Sequence, residues 1–192
     1  MARPKSEDKR DALMAAATRV IAAQGLSAPT AVIAREAGVA NGSLFTYFET
    51  KADLFSQLYR ELKTEMAAAS LEGLPAKAPL REQLSRMWSN WMGWATSDPG
   101  KRRALALLDV SDDIAQESRA ASHRAMADVA GILKRARADG PMQDAPMEFV
   151  SALMNALAEA TMDFMVNDPA NADEHCRAGF EALCRVLGCL IF

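Results

Sequence analysis

One stretch of this chain constrains its fold more than any other: Thr30-Ala-Val-Ile-Ala-Arg-Glu-Ala-Gly38-Val-Ala-Asn41-Gly-Ser-Leu-Phe-Thr-Tyr-Phe-Glu-Thr-Lys51. Thr30 is placed to accept from the orphan backbone N–H groups at the start of a helix, and Gly38, lacking a Cβ, lets the chain turn sharply where that helix stops. Val32, Ile33, Ala37 and Val39 supply an apolar inner side, which Leu44 and Phe48 continue on a second short helix. Asn41, Ser43, Thr46 and Tyr47 face the other way. The pattern is a helix-turn-helix, and its outward set of small, uncharged hydrogen-bonding groups suits base edges and phosphates in a DNA major groove.

A helix pair of this kind needs a third helix behind it. The spacing predicts one from near Ser6, where Glu7 and Asp8 favour the positive helix end, to Gln24 before Gly25, with Leu13, Ala17, Val20 and Ile21 as its inner stripe. Lys51 to Ser70 reads as a longer fourth helix, with Leu54, Phe55, Leu58, Leu62 and Met66 at helical spacing. At the start of the chain Arg3 and Lys5 flank Pro4, and this segment reads either as an arm for the minor groove or as a disordered terminus.

The 192 residues suffice for one or two domains with a real core. Hydrophobic residues make up 50% of them but aromatics only 6%, which favours an all-α fold. A net charge of −3 argues against a general nucleic-acid binder, because bulk affinity for DNA comes from neutralising phosphates. The distribution matters more: residues 1–51 carry seven Lys and Arg against five acids, a balance of +2 that leaves −5 on the rest. One end of the molecule is thereby oriented towards DNA. No signal peptide is visible, and no stretch approaches the ~18 apolar residues of a membrane span, so a cytoplasmic protein without a membrane partner is expected. Cys176, Cys184 and Cys189 match no zinc or redox spacing; they read as small buried hydrophobes, with a thiol sensor as the alternative.

Beyond the break at Gly73-Leu-Pro75-Ala-Lys-Ala-Pro79, the helix Leu80 to Thr96 holds all three tryptophans. Leu84, Met87, Trp88, Trp91 and Trp94 share one broad face, either as core or as the wall of an aromatic-lined cavity for an organic ligand. A short helix is expected from Lys101 to Asp109 and another from Asp112 or Asp113 to about Ala138. His123 and Met126 lie within the latter, His123 facing either a pocket or the surface. Arg119, Arg124, Lys134, Arg135 and Arg137 read as a solvated face. Pro146 to Asn167 is apolar nearly all round, apart from a polar line of Ser151, Asn155, Glu159 and Asp163. That line is either a solvated edge or, if it faces inward, a place where Asn155 and Glu159 hydrogen-bond a ligand. Asp173 to Leu190 completes the chain, with Cys176, Phe180, Leu183, Leu187 and Leu190 as its stripe.

The run T..IA.EAGVA.GSLF.YF.TKADLF resembles the signature of the tetracycline-repressor (TetR) family of transcriptional regulators. The resemblance covers about the first quarter of the chain. It implies an all-α homodimer with an N-terminal three-helix helix-turn-helix domain (1–51) and a C-terminal helical ligand-binding and dimerisation domain (52–192). It also implies base contacts from Asn41, Gly42, Ser43, Thr46 and Tyr47, and phosphate contacts from Thr30, Phe45, Tyr47 and Lys51. Two positions depart from the family pattern: Phe45 lacks the hydroxyl of the usual tyrosine, and Ala31 is too short for the base contact made there in some relatives. The fourth helix is the family's lever between domains. The last two helices form its dimer interface, a role that Phe149, Leu153, Leu157, Phe164, Cys176, Phe180, Leu183 and Leu187 fit.

The function expected is a sequence-specific repressor that binds a palindromic double-stranded DNA operator as a homodimer and is released by a small, largely apolar effector. Met87, Trp88, Trp91, Trp94, His123, Met126, Asn155 and Glu159 are the candidate effector contacts. The same fold acting as an activator or ligand-independent regulator is the alternative. No cofactor or metal is expected. With only His123 and His175, and no phosphate loop or metal-ligand spacing, the sequence offers no catalytic constellation.

Overall fold

The computed structural model describes residues 5–75 and 77–189, apart from the side chains of residues 5 and 6. Arg3, the side chains of Lys5 and Ser6 on which the arm and the cap depend, and Leu190 therefore lie outside what is described. The helices run in the order α1 (Lys5–Gln24), α2 (Thr30–Glu36), α3 (Asn41–Leu44), α4 (Lys51–Leu71), α5 (Leu80–Ser97), α6 (Pro99–Asp109), α7 (Gln116–Ala125), α8 (Ala127–Ala136), α9 (Met147–Asn167) and α10 (Ala172–Leu187). A 3-10 turn at Pro169–Asn171 joins the last two, and no strand occurs among the described residues.

Two compact units form, one from Met1–Glu65 with Asp98–Ala125 and the other from Met66–Ser97 with Met126–Phe192. Compactness thus divides the chain differently both from the split at residue 51/52 that the resemblance implies and from a functional boundary at the Gly73–Pro79 break, because the first unit takes in most of α4 as well as α6 and α7. The helix expected from Asp112 or Asp113 to Ala138 is two helices: it begins only at Gln116 and breaks at Met126, where the chain passes between units.

In the first unit the α1 stripe of Leu13, Ala17, Val20 and Ile21 is buried, as are Leu54, Phe55, Leu58 and Leu62 of α4. Asp98 caps α6 by accepting from the Lys101 N–H at 3.0 Å. A polar cluster fastens α4 to the end of α6. Tyr59, buried, donates to Asp109 Oδ1 at 2.9 Å, and Lys63 Nζ lies 3.2 Å from the same oxygen. Burial first, and then the Asp109 carboxylate, push the Tyr59 phenol above its usual range, so it stays a protonated donor. Arg119 was expected on a solvated face but instead donates to the Asp109 and Ser111 carbonyls at 3.0 and 2.7 Å. Its guanidinium thereby satisfies carbonyls that the end of α6 leaves without helical partners.

The second unit is built on α5, α8, α9 and α10. Leu84, Met87, Trp88 and Met92 of α5 meet Val129, Ile132 and Leu133 of α8, Val150, Met154, Ala158 and Met162 of α9, and Phe180, Leu183, Cys184 and Leu187 of α10. Two more arginines leave the expected solvated face: Arg137 donates to the Met142 carbonyl at 2.9 Å and also to the Ala145 carbonyl, and Arg135 reaches Gln83 Oε1 at 3.1 Å. Between α9 and α10 the Asp168 carboxylate accepts from Asn171 Nδ2 and pairs with His175 Nε2 at 2.9 Å. These partners, Asn171 foremost, hold Asp168 below its ordinary range.

Helix α9 corrects the expectation that no segment approaches a membrane span. It is 21 residues long, and an 18-residue window in it has a mean hydropathy of 1.2, enough by length and composition to cross a bilayer. Glu148, Glu159 and Asp163 interrupt the apolar run, which is why a search for unbroken hydrophobicity passes over it. Only 28% of the window is buried.

Candidate nucleic-acid interface

The turn between α2 and α3 follows from Gly38. Its φ of 69° lies in the left-handed region, and beyond it the Val39 N–H returns to the Ala34 carbonyl at 3.0 Å. That six-to-one bond closes the end of α2 and aims the chain into α3. The start of α2 differs from expectation. Thr30 is its first helical residue rather than its cap; the cap position falls to Pro29, with no side-chain hydrogen bond. Pro29 holds an extended ψ of 144°, and its carbonyl accepts from the Val32 N–H at 3.0 Å. Thr30 is left half-buried at the mouth of the helix.

α3 has only four helical residues, yet its turn geometry continues: the Tyr47 and Phe48 N–H groups both bond to the Leu44 carbonyl, at 3.0 and 3.1 Å. Residues 41 to 48 thus present two sides. Leu44 and Phe48 are 0% and 1% exposed and anchor the segment in the core. Asn41, Gly42, Phe45 and Thr46 are exposed, while Ser43 and Tyr47 are half-buried. Of the residues expected to contact DNA, Asn41 to Tyr47 lie along one short segment, Thr30 opens α2, and Lys51 opens α4. Phe45 leaves 48% of its surface uncovered on this polar side.

A hydrogen-bonded relay that sequence reasoning missed fixes this segment against α1 and α4. The Thr50 hydroxyl accepts from the Asp53 N–H at 3.0 Å, and the Asp53 carboxylate accepts in turn from the Glu49 N–H, also at 3.0 Å. Asp53 Oδ1 accepts from Gln57 Nε2, whose side-chain oxygen accepts from Arg10 of α1. The Arg10 guanidinium carbon sits 5.9 Å from the Phe48 ring centroid. Thr50-x-x-Asp53 is a capping-box pattern, and that was the available signal. Lys51 is half-buried at the same helix start, its ammonium 5.3 Å from the Phe55 ring. Arg35, exposed on α2, adds a cation on this unit.

The candidate effector residues do not come together as one set. Met87 and Trp88 belong to the core of the second unit, and the Trp88 indole N–H donates to the Cys176 carbonyl at 3.0 Å. Its donor therefore serves the α5–α10 contact rather than orienting a ligand. Trp91 meets Trp88 edge to face, with centroids 6.1 Å apart, and Trp91, Trp94 and Met126 are partly buried against the core. Asn155 and Glu159 lie on the exposed side of α9, because its inward stripe is Val150, Met154, Ala158, Thr161 and Met162. His123 is exposed and falls in the first unit. Two adjoining grooves do open along α5 and α10: one of about 360 Å³ passes Ser85, Ser89, Cys176 and Phe180, and one of about 640 Å³ passes Arg81, Ser85, Phe180 and Cys189.

The expected interface residues also divide. Phe149 and Phe164 are exposed by 52% and 62%, and Leu153, Leu157 and Cys176 are partly covered. Phe180, Leu183 and Leu187 are buried inside the chain, so they are not available to a second copy. Their stripe is real, but what covers it is α5 and α9 of the same protomer.

Helices without strands among the described residues, with a tight helix-turn-helix in the first of the two units, define the class. The sequence pattern of bacterial regulatory proteins of the tetR family matches residues 13–58, across α1 to α4. The structure superposes on a putative tetR-family transcription regulator from Shewanella sp. PV-4 with a TM-score of 0.81 and 27% identity, covering 91% of this chain and 95% of that one. Its fold matches a TetR-family regulator from Marinobacter aquaeolei VT8 with a TM-score of 0.83 at 20% identity, covering 96% and 98%. Among curated proteins, the fatty acid metabolism regulator protein of Bacillus subtilis is 31% identical over 84 residues, 43% of each chain, so the match spans under half of that relative's length. Residues 13–58 therefore carry the pattern of tetR-family bacterial regulatory proteins, and the chain as a whole shares the fold of solved regulators of that family.

Proposed function

We propose that this chain is a sequence-specific DNA-binding transcriptional repressor that acts as a homodimer on a partly palindromic operator and is released by a small, largely apolar effector. The observation that carries the reading is the two-sided segment after Gly38, with Leu44 and Phe48 sealed in the core and Asn41, Gly42, Phe45 and Thr46 outside. Thr30, Ser43, Tyr47 and Lys51 complete the proposed contact set, the hydroxyls and the ammonium serving phosphate oxygens and Asn41 serving a base edge.

Dimerisation is supported by α9, whose uncovered face holds Phe149, Ala152, Ala156, Ala160 and Phe164. Small residues between two phenylalanines permit close helix approach, and pairing this face removes apolar surface from water. Two reading segments about 34 Å apart then meet successive major grooves. For the effector, the partly buried Trp91 and Trp94 are the preferred contacts, and an apolar effector agrees with a relative named for fatty acid metabolism. Release follows if the effector favours a state in which α4, whose residues belong to both units, no longer holds that spacing.

Selection of bound fragments from the source genome by the purified protein tests the reading. Enrichment of a site with two inverted half-sites about one helical turn apart is the expected result. Uniform recovery of unrelated fragments at moderate salt contradicts it.

A further inference from the structure

Cys184 and Cys189 match no familiar thiol motif, yet the end of α10 brings them together. After Leu187 the chain turns through Gly188, whose φ of 83° is left-handed. The Gly188 and Cys189 N–H groups both return to the Cys184 carbonyl, at 2.9 and 3.0 Å. In a helix end closed this way, the residue after the turn folds back over the residue five positions earlier, and their side chains meet. Here both are cysteines. The Cys189 thiol donates to the Cys184 carbonyl oxygen at 3.7 Å, which lays it against the residue that carries the second thiol.

Their surroundings differ in a useful way. Cys184 is fully buried, and burial together with its neighbour Cys189 pushes its thiol up to about 12. Cys189 is half-buried and lines the groove of about 640 Å³ beside Arg81. Arg81 is held by Glu181 and by the Phe180 ring, and it donates to the Cys189 carbonyl at 3.4 Å. Cys176, eight residues before Cys184 on the same helix, stands about 12 Å away along the axis and is out of reach of the pair.

We propose that Cys184 and Cys189 are a reversible oxidation site, closing to an intrachain disulfide when the protein meets a peroxide. The Cys189 thiolate attacks one peroxide oxygen; an S–O bond forms, the O–O bond breaks, and the departing hydroxide leaves as water with the proton that the thiol gave up. The Cys184 sulfur then attacks the resulting sulfenic sulfur. An S–S bond forms, the S–O bond breaks, and the hydroxyl departs as a second water with the Cys184 proton. Two thiols and one hydrogen peroxide thus give one disulfide and two waters, and a dithiol reductant reverses the change.

Titration of the full chain with hydrogen peroxide, read by intact mass and by peptide mapping after alkylation, tests this site directly. The expected product has lost two hydrogens, carries a Cys184–Cys189 crosslink and an alkylatable Cys176, and is restored by dithiothreitol. Cys189→Ser is expected to abolish the crosslink, and Cys176→Ser to leave it unchanged. Three results would overturn the proposal: both thiols remaining alkylatable after peroxide, Cys189 advancing to sulfinic acid without a crosslink, or a bond joining Cys189 residues of two chains. Because the wild-type mass decides between them, the test does not depend on how well a variant folds.

Discussion

Two glycines illustrate how differently one residue type constrains this molecule. At Gly38 an added Cβ meets nothing within 4 Å, but the backbone φ is 69°. Conformation alone selects glycine there, and Gly38→Val is expected to cost about 1–2 kcal/mol, read as a lower urea midpoint with the slope unchanged. At Gly179 space decides: an added Cβ would lie 2.1 Å from Thr161 Oγ1 and 3.0 Å from the Trp88 ring. Gly179→Ala should destabilise the protein by about 1–3 kcal/mol through overpacking at the α9–α10 crossing. Phe45 offers the opposite test, since it is exposed and lacks only a hydroxyl. Phe45→Tyr should tighten operator binding by roughly 1 kcal/mol, about fivefold, by supplying a phosphate donor. Unchanged affinity in a salt-matched titration would assign Phe45 to packing instead. Gly38 was legible from sequence because a turn leaves a local mark. Gly179 was not, because the atoms it must clear lie on other helices.

Among the elements, α3 depends on its attachments. Four helical residues have little stability of their own, and Leu44, Phe48 and the relay from Thr50 through Asp53 to Arg10 hold them in place. Thr50→Ala removes one of those attachments. It should lower stability by about 1 kcal/mol and weaken operator binding without touching DNA, whereas Thr50→Ser should restore both. The capping box was readable in the sequence, since its two members lie three residues apart. Helices α9 and α10 mark the limit of such reading. Periodicity located an apolar stripe on α10, but could not say whether Phe180, Leu183 and Leu187 cover their own core or a partner, and they cover their own core. The arginines misled for a related reason. Arg119 and Arg137 stand in charge-rich stretches as a solvated face does, yet each bends onto carbonyls of an adjoining helix end or turn, whose path helical periodicity does not give.

At the level of the whole molecule, the account rests on two copies presenting two reading segments. Helix α9 leaves Phe149 and Phe164 more than half exposed, so Phe149→Glu with Phe164→Glu should leave each chain folded while halving the mass seen by light scattering. A dimer that survives both charges would move the interface elsewhere. The central claim concerns DNA, and the most direct measurement is titration of the best genomic fragment across a salt series with wild type and with Tyr47→Ala/Lys51→Ala, both verified as folded. The account predicts a tight, site-dependent complex in the wild type. In the double variant it predicts at least about tenfold weaker binding and a log–log salt slope shallower by about 1 for each phosphate that the protein no longer neutralises. Equal affinities and equal slopes for the two proteins would contradict it.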